Sequence, residues 1–124
     1  MLKLMGKAMA GLKYNSQYKL AWSVIEDDGF IQANSIGGNI NLAIKELAQS
    51  SPEFNLFFLL YASNGEIRGI INFSDKKDMQ ELMKLLEGRM EDGQIIFTPR
   101  ETDIQLAEKE VLRKIKVWAD GQNQ

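Results

Sequence analysis

Large apolar residues follow two rhythms along this chain, and the switches between them mark its elements. Leu2, Met5, Met9 and Leu12 recur every three or four positions, which predicts a short amphipathic helix with Lys3, Lys7 and Lys13 off its apolar face. Tyr18, Leu20, Trp22 and Val24 then alternate with smaller or polar residues, the period of a strand. Asp27, Asp28 and Gly29 supply a turn, because Asp-Gly tolerates the positive φ of a tight hairpin, and a second strand is expected over 30–35.

Helical rhythm returns after Gly37 and Gly38. Asn39 or Asn41 is placed to cap, Ile40, Ala43, Ile44, Leu47 and Ala48 form the buried stripe, and Ser50, Ser51 and Pro52 end the helix. Residues 56–61 are apolar at every position, so a strand there is covered on both faces and belongs in the middle of a sheet. Asn64-Gly65 between two hydrophobic runs predicts a hairpin back through 67–73. Ser74 or Asp75 caps the next helix, with Met79, Leu82, Met83, Leu86 and Met90 on one face and Gly88 or Gly93 near its end. A short strand over 94–98 precedes Pro99, and Thr102 with Gln105 forms a capping box opening a last helix. Its inner face is Ile104, Ala107, Val111, Ile115 and Trp118, and Gly121 closes it.

The sum is an α+β fold of order αββαββαβα: an antiparallel sheet of about five strands, built from two hairpins and packed with about four helices. At 124 residues, 1–124 is expected to be a single domain, long enough for a hydrophobic core without covalent staples. In layout, hairpins separated by helices, the chain resembles small regulatory modules of the roadblock, longin and profilin kind, although it carries no motif of those families.

Composition removes whole classes of chemistry. The chain contains no histidine and no cysteine. Ser-His-Asp and Cys-His nucleophilic sites, the common zinc sites, thiolate-held clusters and disulfides are therefore excluded. No catalytic residue, metal ligand or cofactor is assigned, and the chain is expected not to be an enzyme. The longest apolar run is far short of the ~20 residues that span a bilayer, and no leader is recognisable, so a cytoplasmic protein is expected.

Charge adds a direction. The net charge is −2, yet residues 1–25 hold Lys3, Lys7, Lys13 and Lys19 with no acid, a local +4 beside −6 in the remainder. A basic stretch of this kind packs on its own acidic body or on a twin subunit, or attracts an anion.

Three sets of residues are candidates for binding. Gly37, Gly38 and Asn39 lead into a helix N-terminus, where backbone N–H groups can meet an anion. Lys13, Tyr14 and Lys19, together with Lys109, Arg113, Lys114 and Lys116, combine cations with aromatic rings in the manner of nucleic-acid binders. Met79, Met83 and Met90 offer an adaptable thioether surface for a protein partner, or else fill the core. No carboxylate set is assigned to a metal: Glu26, Asp27 and Asp28, neighbours that point in different directions, read as a hairpin tip, and Glu53 with Glu66 and Arg68 departs from the PD-(D/E)xK nuclease pattern by placing arginine where lysine belongs. The function expected first is a non-enzymatic protein-protein interaction or regulatory module, homodimeric. An accessory nucleic-acid or anionic-ligand binder, of phage or mobile-element type, is the alternative, and a metal-dependent hydrolase or nuclease using carboxylates stands third.

Overall fold

The computed structural model describes residues 10–26, 38–63, 65–74 and 79–122. Their elements are β1 (Lys13–Asn15), β2 (Leu20–Ile25), α1 (Gly38–Gln49), β3 (Leu56–Ser63), β4 (Glu66–Phe73), α2 (Gln80–Leu86), β5 (Arg89–Glu91), β6 (Gln94–Phe97) and α3 (Ile104–Gln122). The strands form one six-stranded sheet in the order β1-β2-β3-β4-β6-β5.

The sheet is mixed, which corrects the all-antiparallel expectation. β2 and β3 run parallel, with Leu20 opposite Leu56 and Ile25 opposite Tyr61, while the other neighbouring pairs are antiparallel. Parallel neighbours need a crossover, and α1 provides it. The alternation in 18–25 identifies a strand without fixing its partner, and β2 pairs with β1 on one side and β3 on the other. The expected strand over 30–35 lies outside the described residues, as does the expected N-terminal helix before Ala10, and Gly11 and Leu12 are not helical. Lys13, Tyr14 and Asn15 are a strand instead of a helix end. Helices number three among the described residues, against the expected four.

β3 occupies the centre, as its unbroken apolar run demands. Leu56, Phe58 and Leu60 point to one face with Leu20, Trp22, Ile67, Ile71, Ile95 and Phe97, and there Met79, Leu82 and Leu86 of the α2 segment and Ala107, Val111, Ile115 and Trp118 of α3 cover them. Phe57, Leu59 and Tyr61 point the other way, into a smaller cluster with Ala21, Ile25 and Ile70 under Ile40, Ala43, Ile44 and Leu47 of α1. β3 and β4 form the predicted hairpin, with Ser63 opposite Glu66 and Gly65 at φ +78°.

The stretch after α2 departs from the methionine periodicity. The helix stops at Leu86 because Glu87 adopts the left-handed conformation, φ 56° and ψ 41°. The Glu87 N–H donates to the Lys84 carbonyl at 3.1 Å and the Gly88 N–H to the Met83 carbonyl at 3.0 Å, closing the last turn. Glycine is required at 88, since a Cβ would stand 2.7 Å from the Ile96 carbonyl oxygen. Asp92 (φ 51°) and Gly93 (φ 77°) then reverse the chain between β5 and β6, both in the positive-φ region that a two-residue hairpin demands.

α3 opens one residue later than the capping box suggests. Asp103 Oδ1 accepts the backbone N–H groups of Gln105 at 2.9 Å and Leu106 at 3.0 Å, so Asp103 is the cap. An aspartate directly before the first helical residue reaches both free N–H groups, and Thr102 is one position too early.

Candidate functional site

The two faces of the sheet are covered unequally. α1 packs over β3 and β4, and Ile96 of β6 lies at the margin of its cluster. Beyond that margin no described element covers the face, and the register states which residues occupy it. Ile96 pairs with Ile70 on one side and Arg89 on the other, so these three share a face. Arg68, two residues before Ile70, lies on it too, beside the exposed Thr98 that follows β6. Two exposed arginines thus flank a floor made by Ile96.

This floor belongs to a cavity of about 460 Å³ whose walls include Arg68, Glu87, Arg89, Ile96 and Thr98. Arg68 rests 3.4 Å from Glu66, and Arg89 Nε donates to Glu91 Oε2 at 2.6 Å. Both are exposed pairs two residues apart on one strand, a kind that contributes roughly 0–1 kcal/mol, so either guanidinium is free to exchange its carboxylate for another anion. Glu87 is committed elsewhere. Its two oxygens take Arg100 Nε at 2.6 Å and Arg100 Nη2 at 2.8 Å, and those hydrogen bonds hold the Glu87 carboxyl below its ordinary range. Tyr61, opposite Arg68 on β3, is pushed up by burial, and the neighbouring guanidinium partly offsets that rise.

The residues singled out from the sequence are distributed differently. Lys109, Arg113 and Lys116 share the outer side of α3, and Lys13 is near them, since Lys13 Nζ donates to Glu108 Oε2 at 2.8 Å. Lys114 is turned inward and pairs with the buried Glu110 at 2.9 Å. Tyr14 lies on the opposite sheet face against Phe54, with ring centroids 5.9 Å apart, and Lys19 sits in the turn before β2 at φ 51°. The seven residues do not form one surface.

Met79 is buried and Met83 packs on the same core, whereas Met90 is exposed on β5. The three methionines do not line one groove, because the helix ends before Met90. Gly38 and Asn39 open α1, while Gly37 and the Asn39 side chain lie outside the described residues, as do Asp27 and Asp28. Glu53 is exposed in the loop before β3, and Glu66 is the partner of Arg68. Among the described residues no group of three or more acidic side chains is placed to hold a metal ion. No described helix is long and apolar enough to cross a membrane.

Sequence reasoning passed over Arg68 as a binding residue and Arg89 altogether. Alternation in 66–73 places Arg68 opposite in facing to Ile67 and Ile71, so its exposure was readable. Arg89 was hidden inside the expected helix.

Comparison with known proteins bears on the fold. No family model matches the chain, and no curated protein does. A crystal structure of an exopolyphosphatase-related protein from Bacteroides fragilis superposes with a TM-score of 0.80 at 14% identity, covering 99% of this chain and 36% of that one. A crystal structure of an uncharacterized protein from Helicobacter pylori G27 matches with a TM-score of 0.51 at 10% identity, covering 91% and 30%. At these identities the likeness shows a shared fold. The chain spans about a third of the length of these two solved structures.

Proposed function

We propose that this chain is a non-enzymatic binding module that takes an anionic ligand of the phosphate-ester or phosphoanhydride class in the recess between Arg68 and Arg89. One observation carries the reading: two arginines from different strands flank an aliphatic floor on the part of the sheet that α1 leaves open. A planar guanidinium offers paired N–H donors that match phosphate oxygens, and two of them across one strand can grip successive anionic groups. The fold likeness to an exopolyphosphatase-related protein, whose name refers to a phosphate polymer, supports the same ligand class. Histidine and cysteine being absent from the sequence, binding is assigned to the module and turnover is not.

Fluorescence polarisation with a labelled single-stranded oligonucleotide, competed by tripolyphosphate, tests this reading. Engagement of two phosphates by Arg68 and Arg89 gives a log-log salt slope of about −1.4. The Arg68→Ala/Arg89→Ala variant is expected to abolish binding. Absence of binding at low salt, or binding unaffected by the double substitution, overturns the reading.

A protein-interaction reading has its own support in the outer side of α3, where Lys109, Arg113 and Lys116 have no ion-pair partner among the described residues. The homodimer expected from the sequence is a separate form of that reading and uses another surface, because a twofold copy of this stripe sets cation against cation. Light scattering at micromolar concentration decides it, because a monomer removes self-association from consideration.

A further inference from the structure

The outer side of α3 gathers three cations that lack a carboxylate partner among the described residues, whereas Lys19, Lys45 and Lys84, which also lack one there, stand apart in the turn before β2, on α1 and on α2. Lys13, Arg68, Arg89, Arg100 and Lys114 each have a carboxylate partner within 4 Å. Lys109, Arg113 and Lys116 have none among the described residues. They follow one another at spacings of four and three, so they form one stripe turned away from Ala107, Val111, Ile115 and Trp118. Asp120, the acid next along this side, is held by the Tyr18 hydroxyl at 2.9 Å.

Two aliphatic residues bracket the stripe. Leu106 is 48% exposed and Val117 57% exposed, three turns and about 16 Å apart along the helix. Leu106 also walls a cavity of about 380 Å³ shared with Lys109 and Arg113. Isolated exposed aliphatics are ordinary, but a cationic row with an aliphatic residue at each end has a complement of definite kind. A helix with carboxylates along one side and an apolar side chain at each end of that row satisfies both features. A nucleic-acid backbone matches the cations and leaves Leu106 and Val117 without a role. A second copy related by a twofold axis across this stripe brings Arg113 towards Arg113, a like-charge contact. A lipid surface offers the two aliphatics too little buried area to hold them.

We propose that the outer face of α3 docks an acidic amphipathic helix of a protein partner, with Lys109, Arg113 and Lys116 meeting its carboxylates and Leu106 and Val117 seating its apolar side chains. The surface is separate from the Arg68–Arg89 recess and stands or falls independently of it.

The test is fluorescence anisotropy of a labelled helical peptide of about 18 residues, long enough to span the stripe, with glutamates between two leucines on one face and alanines elsewhere. Binding to the full chain is expected to weaken about tenfold in Lys109→Glu/Arg113→Glu, two surface positions whose reversal leaves the circular-dichroism spectrum unchanged. A matching peptide with lysine in place of glutamate is expected to prefer that variant over the parent chain. Leu106→Ala/Val117→Ala weakens the parent complex several-fold, and Arg68→Ala leaves it unaltered. Equal binding of the glutamate peptide to the parent chain and the charge-reversed variant overturns the proposal. So does displacement of the peptide by a single-stranded oligonucleotide that binds the stripe more tightly and is insensitive to Leu106→Ala/Val117→Ala, which would make nucleic acid the occupant.

Discussion

The Trp22 indole N–H donates to Glu108 Oε2 at 2.7 Å, and this hydrogen bond ties the second strand of the sheet to the helix that covers it. The same oxygen accepts Lys13 Nζ at 2.8 Å, so one carboxylate gathers groups from β1, β2 and α3. Trp22 is buried and stacks on Phe58, with ring centroids 5.8 Å apart and planes 6° from parallel, whereas the Lys13 side chain is 54% exposed. The two contributions differ accordingly. Trp22→Phe keeps most of the packing and loses a charge-assisted hydrogen bond, a cost of about 2 kcal/mol, while Lys13→Ala costs no more than about 1 kcal/mol. Urea unfolding monitored by circular dichroism measures both, and a larger loss for Lys13→Ala would contradict this ranking.

Glu110 organises the entry to α3. Its carboxylate accepts Lys114 Nζ at 2.9 Å, the Glu101 N–H at 3.0 Å and the Arg100 N–H at 3.2 Å, and so anchors the segment between β6 and the helix. Burial pushes its carboxyl up, but Lys114 and the two N–H groups outweigh that and hold it below the ordinary range. A carboxyl depressed in the folded state contributes stability above its unfolded value of roughly 4.3 and loses that contribution as pH falls through the folded value. Glu110→Ala, which also leaves the Lys114 ammonium without its partner, costs about 3 kcal/mol at neutral pH. Across a pH series, the gap between Glu110→Gln and the parent chain is expected to narrow below pH about 4. A gap that stays constant down to pH about 3 would show that the carboxylate charge plays no part.

Gly69 and Phe97 form a complementary pair across β4 and β6. They are partners in the register, and a Cβ at 69 would fall within 2.6 Å of both Phe97 Cε atoms, so the ring lies directly over the missing side chain. Gly69→Ala is expected to lower stability by about 2 kcal/mol through overpacking. Combining it with Phe97→Leu is expected to cost less than the sum of the two single changes, because the smaller side chain makes room. Additive losses in thermal unfolding would refute direct contact.

What the sequence revealed about the fold depended on whether a feature is encoded locally. The uninterrupted apolar run of 56–61 placed β3 at the centre, and Asn64-Gly65 located the turn, since burial on both faces and positive φ leave marks in neighbouring residues. The parallel pairing of β2 with β3 left no such mark, because partners 36 positions apart share only a hydrophobic pattern that antiparallel neighbours would also satisfy. β5 was readable and overlooked: Asp92-Gly93 is a hairpin signal of the same kind as Asn64-Gly65, but the spacing of Met83, Leu86 and Met90 imitates helix continuation. The stop lies in Glu87, a residue with no intrinsic preference for the left-handed conformation. The Arg68–Arg89 recess was hidden for the same reason, as Arg89 reaches the open face only if 89–91 is a strand.

The most direct measurement is a nuclear magnetic resonance titration of the arginine Nε–Hε signals with pyrophosphate. The proposed function predicts that the signals of Arg68 and Arg89 shift together along one saturable curve, while Arg100, already held by Glu87, shifts little. Saturable movement confined to Arg113, or no movement of Arg68 and Arg89 at low ionic strength, would contradict it.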